Sequence, residues 1–181
     1  QTYINGLLVA ENGKSLITAQ TSAVINEFNC EPKTPAAFEI PFNAEKHIPV
    51  IEALDGQLIT NKIYVEPTVV NNCIVSNTST DILKIAVVNR YQNAVVAKAF
   101  IKNIGIQTGA LASSVAHDSH NIVAVGTDDE SLCRAVNLVI QQRGGVSAVS
   151  GTTEKVLALP VAGLMSNLDG YEVAAAYTAI D

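Results

Sequence analysis

From residue 47 onward the chain is written in short runs rich in β-branched residues, each four to eight long and stopped by Gly, Asn, Asp or Pro. Val, Ile and Thr pack well on a pleated surface, and runs this short cannot make helices of ordinary length, so strands are expected. The expected strands are His47–Glu52, Lys62–Val65, Ile82–Asn89, Val95–Lys102, Ala110–Ala116, Ile122–Gly126, Val146–Ser150 and Lys155–Leu159. Two stretches change period. Between about Asp129 and Gln142, Leu132, Cys133, Val136, Val139 and Ile140 share one helical face. Asp128 or Thr127 can cap its start, and Gly144-Gly145 ends it. Between about Leu168 and Ile180 a thinner face of Val173, Ala176 and Ile180 suits a helix lying close on a sheet. The expectation is an α+β fold of layered β-sheets, two of them packed together, flanked by α-helices.

The first residues read differently. Asn5-Gly6 and Asn12-Gly13 are hairpin turn pairs between short apolar runs. Pro32, Pro35 and Pro41 then break the text of residues 26–43, leaving room for at most one short element. Residues 1–25 are therefore expected to form a strand hairpin belonging to a neighbouring small β domain, and residues 26–181 a domain of their own.

Charged residues make up only 15% of the 181, below the usual quarter or so, so part of the surface is expected to face another surface. Eleven basic residues stand against 17 acidic ones, and no two Lys or Arg are adjacent. That pattern cannot neutralise a row of phosphates, which argues against nucleic acid and anionic membrane as partners. No apolar stretch approaches the ~20 residues of a membrane-spanning helix. Cys30, Cys73 and Cys133 are scattered and odd in number, so a reducing cytoplasm is expected. The chain opens Gln1-Thr2-Tyr3 without a leader pattern, which reads as a piece of a longer polypeptide.

Chemistry concentrates in Ser113-Ser114-Val115-Ala116-His117-Asp118-Ser119-His120-Asn121, between two apolar strands. Three readings compete for it. His117, Asp118 and His120 offer two imidazoles and a carboxylate to a metal, with only His47 as a further imidazole. Ser113 or Ser114 with His120 and Asp118 supplies the residue types of a nucleophilic triad, but without a G-x-S-x-G elbow. A turn whose polar side chains cap backbone donors needs no chemistry at all, and it can equally present His117, Asp118, Ser119 and His120 to another domain's active site. Elsewhere, Asn89-Arg90-Tyr91 at a strand end either stays solvated or binds an anionic group or partner carboxylate. Gly144-Gly145 suits a helix end better than a phosphate cradle.

Several segments resemble the C-terminal domain of bacterial adenine deaminases: Val87-Val88-Asn89-Arg90-Tyr91, Ala99-Phe100-Ile101-Lys102, the run Gly109 to Asn121, Val125-Gly126-Thr127, and Leu159-Pro160-Val161-Ala162-Gly163-Leu164-Met165-Ser166. Gly56-Gln57-Leu58-Ile59-Thr60 and the opening Ile4-Asn5-Gly6 are also similar to that family. The resemblance implies that residues 26–181 are the adenine deaminase C-terminal domain. It further implies a full-length, homodimeric, cytoplasmic amidohydrolase that converts adenine to hypoxanthine and ammonia, using manganese or iron inside a (β/α)8 barrel on the same polypeptide. No His-x-His pair of such a barrel occurs among the three histidines here, nor the H-x-E and P-C-x-x-C signature of cytidine-type deaminases. An inactive accessory role is thus expected for this chain by itself, shaping the active site or the dimer, with no metal or cofactor of its own. A non-catalytic purine-binding or scaffolding module is the alternative.

Overall fold

The computed structural model describes residues 1–18 and 23–180. In chain order the strands are β1 (Thr2–Ile4), β2 (Leu7–Glu11), β3 (Lys14–Ser15), β4 (Ile48–Ala53), β5 (Thr60–Val65), β6 (Val69–Val70), β7 (Cys73–Ile74), β8 (Ile82–Val88), β9 (Ala97–Lys102), β10 (Ala110–Ser113) and β11 (Ile122–Gly126). Helix α1 (Asp129–Gln141), β12 (Gly145–Ser150), β13 (Thr153–Ala158) and α2 (Gly170–Ile180) complete it. The layered α+β architecture is present: an eight-stranded sheet in the order β13-β12-β10-β11-β8-β9-β4-β5, with a three-stranded sheet β1-β2-β3 and a two-stranded sheet β6-β7. No helix among the described residues is long and apolar enough to cross a membrane.

A crossover in the large sheet creates the main core. β11 and β12 are both antiparallel to β10, so they run parallel to each other and the chain between them must pass over β10. Helix α1 makes that passage. Its apolar face is fully used, with Leu132, Ala135, Val136 and Val139 at 0% exposure. The sheet beneath offers small side chains, Ala86, Ala110, Ala112, Ala124 and Ser147, all buried. The fit is tight: a Cβ on Gly126 would lie 2.7 Å from that of Ala110 and 2.9 Å from Leu132 Cγ. Each fully buried Leu or Val side chain stabilises by about 1.5–3 kcal/mol, so this face anchors the domain. Asp128 is the cap, its carboxylate accepting from the Ser131 amide at 2.7 Å and the Ser131 hydroxyl at 2.9 Å.

A second, smaller core lies at the other end of the sheet, where Ile48, Val50 and Phe100 close on Ile74 of the two-stranded sheet. That small sheet was not readable from sequence, because strands of two residues leave no period. Helix α2 differs from α1 in having no buried residue, and it leans on β13. Its Tyr171 hydroxyl donates to the Gly13 carbonyl at 2.7 Å and accepts from the Ser15 amide at 3.1 Å, so the N-terminal hairpin is tied to α2. That hairpin turns at Asn5-Gly6 and Asn12-Gly13, all four residues at positive φ as such turns require. The expected 1–25 unit and 26–181 domain both include positions outside the described residues, 19–22 and 181.

Candidate functional site

The polar run between residues 113 and 121 is the connection of the β10–β11 hairpin, and its base and tip are built on opposite principles. At the base, Ser114 is fully buried. Its hydroxyl donates to the Gly163 carbonyl at 2.6 Å and accepts from the Gly145 amide at 2.8 Å, while its own amide donates to the Gly145 carbonyl at 3.0 Å. β10 stops at Ser113, three residues short of the expected Ala116: the Ser114 amide still meets Gly145 in register with β12, but its hydroxyl replaces its carbonyl as acceptor of the Gly145 amide and fastens the loop to Gly163. Ser113 caps Val115, its hydroxyl accepting the amide at 3.0 Å.

At the tip the chain doubles back through Asp118 at φ 65° and His120 at φ 49°. The His120 amide donates to the Ala116 carbonyl at 2.8 Å and the Ser119 amide to the His117 carbonyl at 2.9 Å, closing a compact turn. His117 Nδ1 lies 3.1 Å from Asp118 Oδ1, and both side chains are almost wholly exposed, 95% and 91%. His120 is half-buried. The turn thus projects an imidazole beside a carboxylate, above a base that is buried and hydrogen-bonded.

This geometry decides among the readings of the residues. No triad forms among the described residues: the Ser114 hydroxyl is spent on backbone partners, and neither serine hydrogen-bonds an imidazole. A catalytic divalent metal needs at least three converging donors. Among the described residues no group of three His, Cys, Asp or Glu side chains is placed to hold a metal ion. His47 precedes β4, three strand spacings of about 4.8 Å from β11, and so lies roughly 14 Å away from that strand. The donors among the described residues do not gather into a site for the manganese or iron that the resemblance places in the full-length enzyme's barrel.

Behind the turn sits a residue whose environment the sequence did not disclose. Arg90, two positions past β8, is 4% exposed instead of solvated. Nη1 donates to Asn26 Oδ1 at 3.3 Å and Nη2 to the Tyr91 hydroxyl at 3.1 Å. Tyr91 in turn donates to the Ser119 carbonyl at 3.4 Å, and the Arg90 amide to Asn121 Oδ1 at 3.3 Å, so two links lead from this residue into the turn. The guanidinium packs over the rings of Tyr91 and Phe28, 4.7 and 5.8 Å from their centroids. Gly163 is necessary here: its φ is +69°, and a Cβ would lie 2.0 Å from Arg90 Nη1. Nearby Cys30 has its thiol pushed up in pKa, first by burial, with Lys33 and Arg90 pulling against it. The only hint in the sequence was Arg90 standing between Asn89 and Tyr91 at a strand end. Gly144-Gly145, the other segment considered for chemistry, forms the exit of α1, with the Gly144 amide donating to the Val139 carbonyl at 3.0 Å.

Residues 57–181 match the model of a family described as the adenine deaminase C-terminal domain. The chain is 44% identical to an adenine deaminase of Borreliella burgdorferi over 98% of its own length and 32% of that protein's. It is 47% identical to an adenine deaminase of Salinibacter ruber over 97% of its length and 32% of that protein's. An adenine deaminase of Methanosarcina acetivorans is 44% identical, over 97% of this chain and 34% of its own. The chain thus spans about a third of the length of these curated relatives. On a match covering most of its residues, this chain belongs to the adenine deaminase C-terminal domain family.

Proposed function

We propose that this chain serves an adenine deaminase as its accessory domain, and that its β10–β11 turn completes the active site carried by the rest of that enzyme. The observation that carries the reading is the turn itself: an imidazole 95% exposed with Nδ1 3.1 Å from the Asp118 carboxylate, above a base fixed by a fully buried serine. A loop that only capped backbone groups would have no use for so firm a footing beneath two imidazoles. Barrel enzymes keep their chemistry at the loops of one face, where a neighbouring domain can supply a lid or a hydrogen-bond donor. His117 and His120 are assigned to donate to the purine or to steer the attacking water as adenine and water become hypoxanthine and ammonia. Any manganese or iron would be bound by that other part and would supply the activated water; the work of this chain is orientation and exclusion of solvent. Residues 1–25 are assigned to a neighbouring small β unit, and the whole to a cytoplasmic homodimer.

The test is deamination kinetics on the complete polypeptide with His117→Ala and His120→Ala. Either change is expected to lower kcat/KM by about tenfold or more with bound metal unchanged. This chain alone is expected to release no ammonia. Unchanged kinetics in both variants would leave the turn a structural one and favour the scaffolding role.

A further inference from the structure

Arg90 is a buried cation with hydrogen-bonding capacity left over. A guanidinium carries five N–H donors. Two are used, both on neutral acceptors, Asn26 and the Tyr91 hydroxyl. Nε is buried and has no hydrogen-bond partner. Among the described residues no Asp or Glu pairs with it; the ion pairs of the chain lie elsewhere. Burying a cation without a counter-charge is costly, and the cost falls sharply when a carboxylate takes up two parallel donors.

We propose that Arg90 is the receptor for one carboxylate, an Asp or Glu side chain borne by polypeptide that packs against the end of the molecule where the His117–His120 turn stands. The inference rests on reading that turn as a contact with the rest of an adenine deaminase, and it adds what the contact recognises. Three features define the seat. The group now facing Nη1 is the Asn26 carboxamide, at a long 3.3 Å, and a carboxamide is planar and nearly the same size as a carboxylate. Asn26 comes from outside the sheet, and its side-chain amide also donates to the Arg143 carbonyl at 2.6 Å, so an entering carboxylate must break that bond to take its place. Gly163 meets Nη1 with bare backbone, since a Cβ there would come within 2.0 Å of it. The same guanidinium reaches the backbone of the turn through Tyr91 and the Ser119 carbonyl, so a carboxylate seated here lies one hydrogen-bond chain from it.

Acetate serves as the probe for the isolated chain. At matched ionic strength, acetate well above its dissociation constant is expected to raise Tm by about 2–4 °C over chloride, and to do nothing for Arg90→Met. The second arm compares Arg90→Met in the complete polypeptide and in this chain, with a Tm loss about 4 °C or more greater in the complete polypeptide. Acetate no better than chloride on the unmodified chain would overturn the receptor. A positive acetate arm with equal losses in the two contexts would mean a free carboxylate ligand only, and would overturn the docking. If both arms hold while the histidine variants keep full kcat/KM, the receptor stands and the catalytic part of the functional reading falls.

Discussion

Strand β8 has a buried cation near each end, and the chain treats the two in opposite ways. Lys84, 1% exposed, pairs with the Asp129 carboxylate in the first turn of α1 and donates to the Phe38 carbonyl at 2.9 Å. Arg90, 4% exposed, has an amide oxygen and a phenol hydroxyl. At the Lys84 end the fold neutralises its own charge and closes. At the Arg90 end the described residues stop short of neutrality, and there the imidazole-bearing turn emerges.

The contrast can be broken most forcibly at its closed end. Asp129→Ala leaves Lys84 buried and uncompensated, and is expected to cost about 3 kcal/mol in urea unfolding, the low side of the range for buried pairs because Asp129 keeps 22% exposure. A cost under about 1 kcal/mol would mean that Lys84 relaxes into water and that the two ends do not differ. Next, Ser114→Ala deprives the Gly145 amide and the Gly163 carbonyl of a buried partner. A loss of about 2 kcal/mol is expected, with exchange broadening of the His117 and His120 ring signals. Sharp, unshifted signals would show that the tip does not depend on its base.

Asp128→Ala removes the α1 cap and should cost about 1 kcal/mol by the same unfolding measurement without touching the turn signals. A change in those signals would couple the two ends. The smallest effect is a pH dependence shared by both. Burial raises the pKa of Cys30 near Arg90, and burial followed by Glu130 raises that of Cys133 on α1. The unfolded chain therefore releases these protons first as pH climbs past the ordinary thiol value of 9.0, so stability is full below it and falls above it. Replacing both by Ser should flatten that alkaline slope; an unaltered slope would place its origin in other groups.

Much of this fold was readable locally, and the exceptions follow a rule. The runs at 82–88 and 122–126 appear as strands almost to the residue, because each carries its own alternation and its own stop signals. The α1 face and its Asp128 cap were equally plain. What could not be read is anything decided by distant chain. β10 ends early where the Ser114 hydroxyl takes the Gly145 amide and the Gly163 carbonyl, 31 and 49 positions away. The strand order places β12 beside β10 and β13 beyond it, although the two hairpin regions are separated by a helix. Arg90 is buried because residues 26–29 and 162–163 fold over it, and no local pattern announces a covering that comes from both sides of the sequence. For the site, the turn was legible and its footing was not.

The pairing of β4 with β9 is parallel in an otherwise antiparallel large sheet, and β4 meets it through Val50–Phe100, Ile51–Ile101 and Glu52–Lys102. No tight turn can make such a seam; the intervening chain must first be laid down as β8 and β9, so the loop-closure entropy falls due before any contact returns it. The β4–β5 hairpin is accordingly expected to dock late in folding, and to open as a unit ahead of the strands under α1. Amide protection should step down across that seam, which makes the β4 edge the frontier between a slow-exchanging body and a fast-exchanging flap.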